Sequence, residues 1–497
     1  MKKILILLLL ISPFMGCDLD KDFEEMNIDP TKGASLDVNT KMSGVLLRGA
    51  GTEYEMTVTK IIYFSQFNQY LVQNSFPQGM FYTFDATYNA GIWDSYYSDP
   101  IKTIQDIIVQ LEADESTIVG SEMAIAKIWR AYLFHEIADV YGQSPYFDAG
   151  KGYTDAILKP AYDPLEDIYF DMLEELEEAG AMMTNSSTLG SADFIYQGDT
   201  DKWKKFGNSL MLRLAMRMME VDEVSAKAWA TKAIAGGTMA SNADNAYMAR
   251  QDGPQDGNRN AAALHFSKYT DTKVAATWYD WLDDNNDPRL AIFTDPASPA
   301  RGEFVGYSPT QLEATFDMTI DSFAVVNPVF DKMNTPTVLL NYSESELLKA
   351  EFAERGGTGN AATLYASGVT AAMKMWEDVD PSLAIADADV LAYLTANPYV
   401  AGTPGQKMIG EQYWATHFFD FTEAWSNWRR TGYPILKPFG GAPANALNVT
   451  NGTIPRKLVA NRGEAATNPE NYAAMISAQG NEMTTKVWWD VKVHPTN

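Results

Sequence analysis

Residues 423–436 read EAWSNWRRTGYPIL. One acid, Glu423, and two arginines, Arg429 and Arg430, stand here among Trp425, Trp428 and Tyr433, and Pro434 follows. A guanidinium held among rings needs carboxylate or carbonyl partners, and its flat face stacks on aromatic faces. That combination reads as scaffold, the buried corner of a folded body. The loop that follows, 454–472, offers Glu464 and Glu470 as candidate partners for the arginines.

Outward from this stretch the periodicity is helical. Ile125, Ile128, Trp129, Tyr132, Ile137 and Tyr141 keep a 3.6-residue spacing that stops at Gly142. A second helix is expected from Asp163 as N-cap, with Pro164 in the first turn and Glu166 completing a capping box. Its apolar face runs through Leu165, Ile168, Tyr169, Met172, Leu173 and Leu176, leaving most of Glu174, Glu175, Glu177 and Glu178 outside. Further helices are expected over 201–220, 225–235, 344–355 and 360–377. Loops rich in Gly, Pro, Asn and Asp separate them, notably 241–262, 283–311 and 434–470. The class is mainly α, with paired helices, and no clean 34-residue self-similarity establishes a repeat solenoid from the sequence alone.

From Tyr63 to Tyr97, twelve of 35 residues are aromatic, about three times the chain average, interleaved with Gln, Asn, Ser and Asp and without a sustained helical period. Aromatic faces stack on sugars or on peptide side chains, while amides orient hydrogen bonds. Most such rings pack in a core, yet some are expected to line a ligand surface. Phe81, Tyr82, Trp93, Tyr96 and Tyr97 are the candidates, with Trp278 of ATWYDWLDD (276–284) as a further one.

No stretch of the sequence matches a catalytic or metal-binding pattern. HEIAD at 135–139 begins like a zinc-protease motif but carries Asp139 where a second histidine is required, so it reads as a packing helix. DDNNDPRL at 283–290 fails the calcium-loop template at Pro288 and Thr294 and reads as an Asx-type turn, the preferred reading of DGPQDGNRN at 252–260 as well. No phosphate loop, nucleophile elbow or Cys/His cluster is present. Catalytic residues, metal and cofactors are all expected to be none. A net charge of −27 without a basic block argues against nucleic acid.

Cys17 is the one cysteine in 497 residues, so no intramolecular disulfide exists. It follows Lys2, Lys3, the apolar run Ile4 to Ile11 and Ser-Pro-Phe-Met-Gly, the pattern of a secretory signal over 1–16. The run is too short to cross a bilayer, which takes about 20 apolar residues. Gly16-Cys17 resembles a bacterial lipobox, with Phe14 and Met15 where leucine and a small residue are commoner. The resemblance implies acylation of the cysteine and a polar, acidic tether over 17–40.

The C-terminal stretch resembles the E-x-W-x-x-x-R-R-T-G-x-P signature of SusD/RagB nutrient-binding outer-membrane lipoproteins. Other blocks follow in that family's order: WRAYLFHEIADVYGQSPYFDA (129–149), WKKFGNSLMLRLAMRM (203–218), NDPRL (286–290) and YSESELLKAEFAERG (342–356). IGEQYW (409–414), IPRKLVANRGEAATNPENY (454–472) and VWWD (487–490) complete the set. The resemblance implies one SusD-like domain over 41–497, an α/α superhelix with about four tetratricopeptide-like hairpins and long irregular loops. It implies a non-enzymatic protein, lipid-anchored in the outer membrane and facing outward. Such a protein captures an oligosaccharide or peptide and acts as the lid of a SusC/RagA-like TonB-dependent transporter. It resembles a divergent branch, in which the family's frequent Y-x-x-I-x-x-A-N pattern is not intact at WDSYYSDPIKTIQDII (93–108). A surface glycosidase or peptidase, or a purely structural transporter partner, is the competing class.

Overall fold

The computed structural model describes residues 36–73, 75–114, 116–117, 120–152, 154–253, 256–295, 324–437 and 449–495. Cys17, the expected signal 1–16 and most of the expected tether lie outside the described residues.

The chain opens with α1 (Val38–Gly49), then a short turn, α2 (Glu53–Glu55), that runs directly into a π-helix, Met56–Ser65. Strand β1 (Leu71–Gln73), α3 (Ala86–Ser98) and α4 (Pro100–Glu112) lead to the long α5 (Ser121–Tyr141). Next come α6 (Leu165–Met182), α7 (Thr200–Arg217), α8 (Glu223–Gly236) and β2 (Ala246–Met248). After α9 (Ala261–Lys268), β3 (Thr272–Val274), α10 (Ala276–Asp284) and α11 (Leu290–Phe293), β4 (Thr337–Leu340) precedes α12 (Tyr342–Glu354). The remainder comprises α13 (Ala361–Lys374), α14 (Asp387–Ala396), α15 (Thr403–Thr416), α16 (Phe421–Thr431), α17 (Glu464–Thr467) and α18 (Pro469–Gln479).

Helix ends follow from local chemistry. Asp199, Asn341 and Asn360 accept from the backbone amides of Lys202, Glu344 and Thr363, which satisfies orphan donors at the starts of α7, α12 and α13. Helix α5 stops at Gly142, whose φ of 76° lies in the left-handed region. A side chain there would also strike Gln479, which bonds Tyr141 and Gln143 across the turn. The expected Asp163 capping box does not form. Its carboxylate accepts from Tyr146 and Phe147 instead (2.8 and 3.0 Å), closing the turn after α5, and α6 starts at Leu165 behind Pro164.

Three sequential hairpins form the superhelical body: α5 with α6, α7 with α8, and α12 with α13. They stack through α6 on α7 and α7 on α12, while α1 and α4 pair beside α5 although α2, the π-helix, β1 and α3 separate them in sequence. Helix α15 packs on α12, and α16 packs on α15, the π-helix and α5. Two antiparallel two-stranded ribbons, β1 with β3 and β2 with β4, tie distant loops to the helices. The mainly α expectation therefore holds, and each helix expected by periodicity is present within a few residues.

Candidate ligand-binding face

The signature stretch is interior. Arg429 donates to the carbonyls of Asp139 (2.7 Å) and Arg456 (2.8 Å), and its guanidinium lies 3.7 Å from the centre of the Trp425 ring and 4.7 Å from that of Trp489. Arg430 forms a two-pronged pair with Glu351, both bonds 2.6 Å. Glu423 accepts from Tyr413 (2.7 Å) and Arg217 (2.5 Å). The expectation that Glu464 or Glu470 would serve the arginines is corrected. Both acids sit on the outer α17–α18 segment, and the partners come from α5, α7 and α12 instead.

Around Glu423 the buried charges form one network. Arg213 grips Glu344 with bonds of 2.7 and 2.6 Å, Arg217 reaches Asp139 at 3.1 Å, and Lys60 holds Glu136 at 3.0 Å. His135, Glu136 and Asp139 of the HEIAD motif are all members or neighbours of it, which explains them as packing residues. Burial raises the Asp420 carboxyl to about 6, against the opposing pull of Arg213 and His417. For His417 burial acts downward, but the hydrogen bond and charge of Glu344 prevail and raise its pKa. Charges so deep cost several kcal/mol each unless paired, so this network fixes the geometry of the helices that share it.

The structure corrects most of the ring assignments. Tyr82, Tyr96 and Trp278 are fully buried and Trp93 is 5% exposed. Tyr96 donates to buried Glu136, Trp278 packs on Tyr70 and Trp414 (4.7 and 4.5 Å), and Trp93 stacks on Tyr162. Tyr97 is half-buried and donates to the Pro145 carbonyl at 2.6 Å, and Phe81 is half-buried against the core. These rings are core because the π-helix and α3 fold this stretch inward. The stretch runs from the last turn of the π-helix through β1 and a loop into α3, so no single helical period spans it. Asp287, from the acidic 283–290 loop, is buried and pairs with Arg289 at 2.6 Å. Among the described residues no three metal-ligating side chains stand together.

A different set of rings reaches solvent. The antiparallel register of β1 and β3 pairs Gln73 with Thr272. Beyond the ladder, the loop after β1 and the turn before β3 bring Phe76 to Tyr269, and their rings meet edge to face at 5.3 Å. Phe76 also meets Tyr88 edge to face at 6.2 Å. Gln66, at the end of the π-helix, holds this loop by donating to the Phe76 carbonyl and accepting from the Met80 amide, both at 2.9 Å. Gly91 lets α3 approach the π-helix, because a Cβ there would overlap Thr59 and Val58. Tyr88, beside Asp85 at the start of α3, and Tyr54, on α2 and 42% exposed, complete the group.

The polar surroundings match. Burial first, then the Asp94 and Asp85 carboxylates, raise the Tyr54 hydroxyl pKa; burial, Asp85 and Tyr269 do the same for Tyr88. Both phenols therefore stay protonated donors beside carboxylate acceptors. Asn461 donates to Asp94 at 2.6 Å, and Arg462 lies 3.9 Å over the Phe84 ring at the edge of the same region. Partly exposed Tyr54, Phe76, Tyr88 and Tyr269 lie near the Asp85 and Asp94 carboxylates, so ring surface, phenol donors and carboxylate acceptors share one region. That chemistry suits a pyranose, whose C–H faces stack and whose hydroxyls bond. Phe76 and Tyr88 belong to the aromatic-rich stretch noted in the sequence. Tyr269 joins them only through a strand pairing about 200 residues distant in sequence.

A helical scaffold locked by buried ion pairs thus carries this partly exposed aromatic face. The family model described as "Starch-binding associating with outer membrane", SusD-like_2, matches residues 39–459, and the chain belongs to that SusD-like family. Among solved structures, a chitin-binding protein is 30% identical with a TM-score of 0.80, over 92% of this chain and all of its own. A chitin-binding SusD homolog from Flavobacterium johnsoniae (24% identity, TM-score 0.75, 91% of this chain and 99% of that one) shares the fold. So does a SusD homolog from Bacteroides uniformis (23%, 0.76, 91% and 99%). No curated protein matches the sequence significantly. No helix among the described residues is long and apolar enough to cross a membrane.

Proposed function

We propose that this protein is a non-catalytic glycan receptor, held at the outer membrane by lipid on Cys17 and serving as the lid of a SusC/RagA-like TonB-dependent transporter. The observation that carries the glycan reading is the clustering of Tyr54, Phe76, Tyr88 and Tyr269 beside Asp85 and Asp94 on a rigid scaffold. The names of two structural neighbours, both chitin-binding, favour β-linked N-acetylglucosamine as cargo. Family membership supports the lid role. A ligand shifts a lid toward closure only by binding the closed pair more tightly than the open one, so the cargo must touch both proteins. Calorimetric titration of a β-1,4 N-acetylglucosamine tetramer into wild type and a Tyr88→Ala/Tyr269→Ala variant tests the reading. Binding by the wild type and its loss in the variant support it; equal binding by both refutes the assignment of the face.

A further inference from the structure

Arg462 is the guanidinium that the scaffold leaves unpartnered. Every other arginine among the described residues makes an ion pair or a hydrogen bond. Arg462 makes neither, although the chain carries 65 acids against 38 lysines and arginines. It is exposed, and its guanidinium lies 3.9 Å from the centre of the half-buried Phe84 ring. A cation–π contact holds such a side chain in place and leaves its N–H donors for an acceptor that comes from solvent.

The backbone beneath this side chain is fixed as well. Asn461 is bonded at both ends of its amide, donating from Nδ2 to Asp94 (2.6 Å) and accepting at Oδ1 from the Gly463 amide (2.8 Å), so Arg462 stands at the tip of a closed turn. The amides of Glu464 and Ala465 then donate to the carbonyls of Asn461 and Arg462 (3.1 and 3.2 Å). Upstream, Asn89 of α3 accepts from the Val459 amide at 2.9 Å. Residues 459–463 are therefore tied to α3 at Asn89 and Asp94, and Arg462 meets the chain again at Phe84, one residue before the Asp85 cap. Tyr88 occupies the first turn of the same helix, and Asp94 and Asp85 are the carboxylates that act on Tyr54. Arg462 thus borders the aromatic face on its α3 side.

We infer that Arg462 is a specificity-determining ligand contact, its guanidinium donating to two neighbouring oxygens of a neutral sugar held on the aromatic face. A planar fork of donors fits paired oxygens, whether of a carboxylate or of adjacent hydroxyls. The surroundings choose between them. Asp85 and Asp94 lie in the same region, so a carboxylate there would meet two like charges for one guanidinium, whereas hydroxyls meet no such repulsion. A donor already held by a ring and a closed turn loses little freedom when it binds, which favours its use in recognition. The inference rests on the glycan reading of this face and assigns its polar specificity.

The test is calorimetry with the neutral β-1,4 N-acetylglucosamine tetramer on the full mature chain, at low and at high salt. Arg462→Ala should bind about tenfold more weakly, the worth of a hydrogen bond from a charged donor. Arg462→Lys keeps the charge and loses the fork, so it should stay close to the alanine variant. Wild-type affinity should be the same at both salt concentrations, because the acceptor is uncharged. Both variants should melt with wild type, since Arg462 has no hydrogen-bond or ion-pair partner within the protein. Unchanged binding by Arg462→Ala, beside loss of binding in Tyr88→Ala/Tyr269→Ala, overturns the role of Arg462 and leaves the aromatic face standing. Full recovery in Arg462→Lys, affinity that falls steeply with salt, or weaker binding that comes with a lower melting temperature also overturns it. No binding by wild type, or equal binding by the double variant, overturns the glycan reading of the face and this inference together.

Discussion

Replacing Arg430 with methionine should leave a folded but markedly less stable protein that still binds its ligand. Arg430 and Glu351 are 1% and 4% exposed and are joined by two 2.6 Å bonds. Burial alone would raise the Glu351 carboxyl, but Arg430 outweighs it and holds the pKa at about 2, against 4.5 for an ordinary glutamate. That difference corresponds to about 3 kcal/mol favouring the charged form, in line with the roughly 3–5 kcal/mol lost when one partner of a buried pair is removed. The sign follows from linkage. A carboxyl whose folded pKa is depressed contributes its full stabilisation above the unfolded value and loses it as pH falls from 4.5 toward 2. The Arg430→Met deficit should therefore be largest near neutrality and shrink below pH 4.5. Arg355, 3.0 Å from the same carboxylate, softens the loss without abolishing it. Urea unfolding followed by tryptophan fluorescence at pH 7 and pH 3.5 measures both quantities, and Glu351→Gln in the same background should recover part of the loss. A neutral-pH cost below about 1 kcal/mol, or a cost independent of pH, would refute the claim that this pair is a buried structural lock.

Two further outcomes are expected. Asp420, whose ordinary pKa of 3.8 is raised to about 6 by burial, is favoured in its protonated form by the fold, so its stabilising effect fades as pH rises through 6. Asp420→Asn keeps an acceptor for the Glu423 amide and should raise the melting temperature at pH 7.5, by the equivalent of about 1–3 kcal/mol, with no gain at pH 4; an equal loss at both pH values contradicts this. Cys17→Ala should move the protein from the membrane pellet to the soluble fraction, and an unchanged pellet defeats the proposed lipid anchor.

The hairpin helices were legible because their apolar spacing and polar caps are local properties; α5 ends at Gly142 where the sequence says it should. The charged signature read correctly as scaffold, but its partners did not, since Asp139, Arg217 and Glu351 reach Glu423, Arg429 and Arg430 across 79 or more residues of chain. Of the rings singled out in the aromatic stretch, Tyr82, Trp93 and Tyr96 are buried, while Phe76 and Tyr88 of the same stretch are partly exposed. Trp93 and Tyr96 share α3 with Tyr88, and the π-helix packed against that helix decides which side of it faces inward. Phe76 and Tyr269 owe their proximity to a three-residue strand pairing that no local pattern announces. Composition identified the chemistry of the face, while long-range register selected its members.

The sharpest single measurement is the affinity of Tyr88→Ala/Tyr269→Ala for the N-acetylglucosamine tetramer, read beside its melting curve. Two lost ring contacts, each worth about 0.5–1.5 kcal/mol, predict a complex weaker by about fivefold to 150-fold from a protein whose melting temperature barely moves. Wild-type affinity in the variant, or affinity lost only because the fold is lost, would mean that these rings are not where the ligand rests.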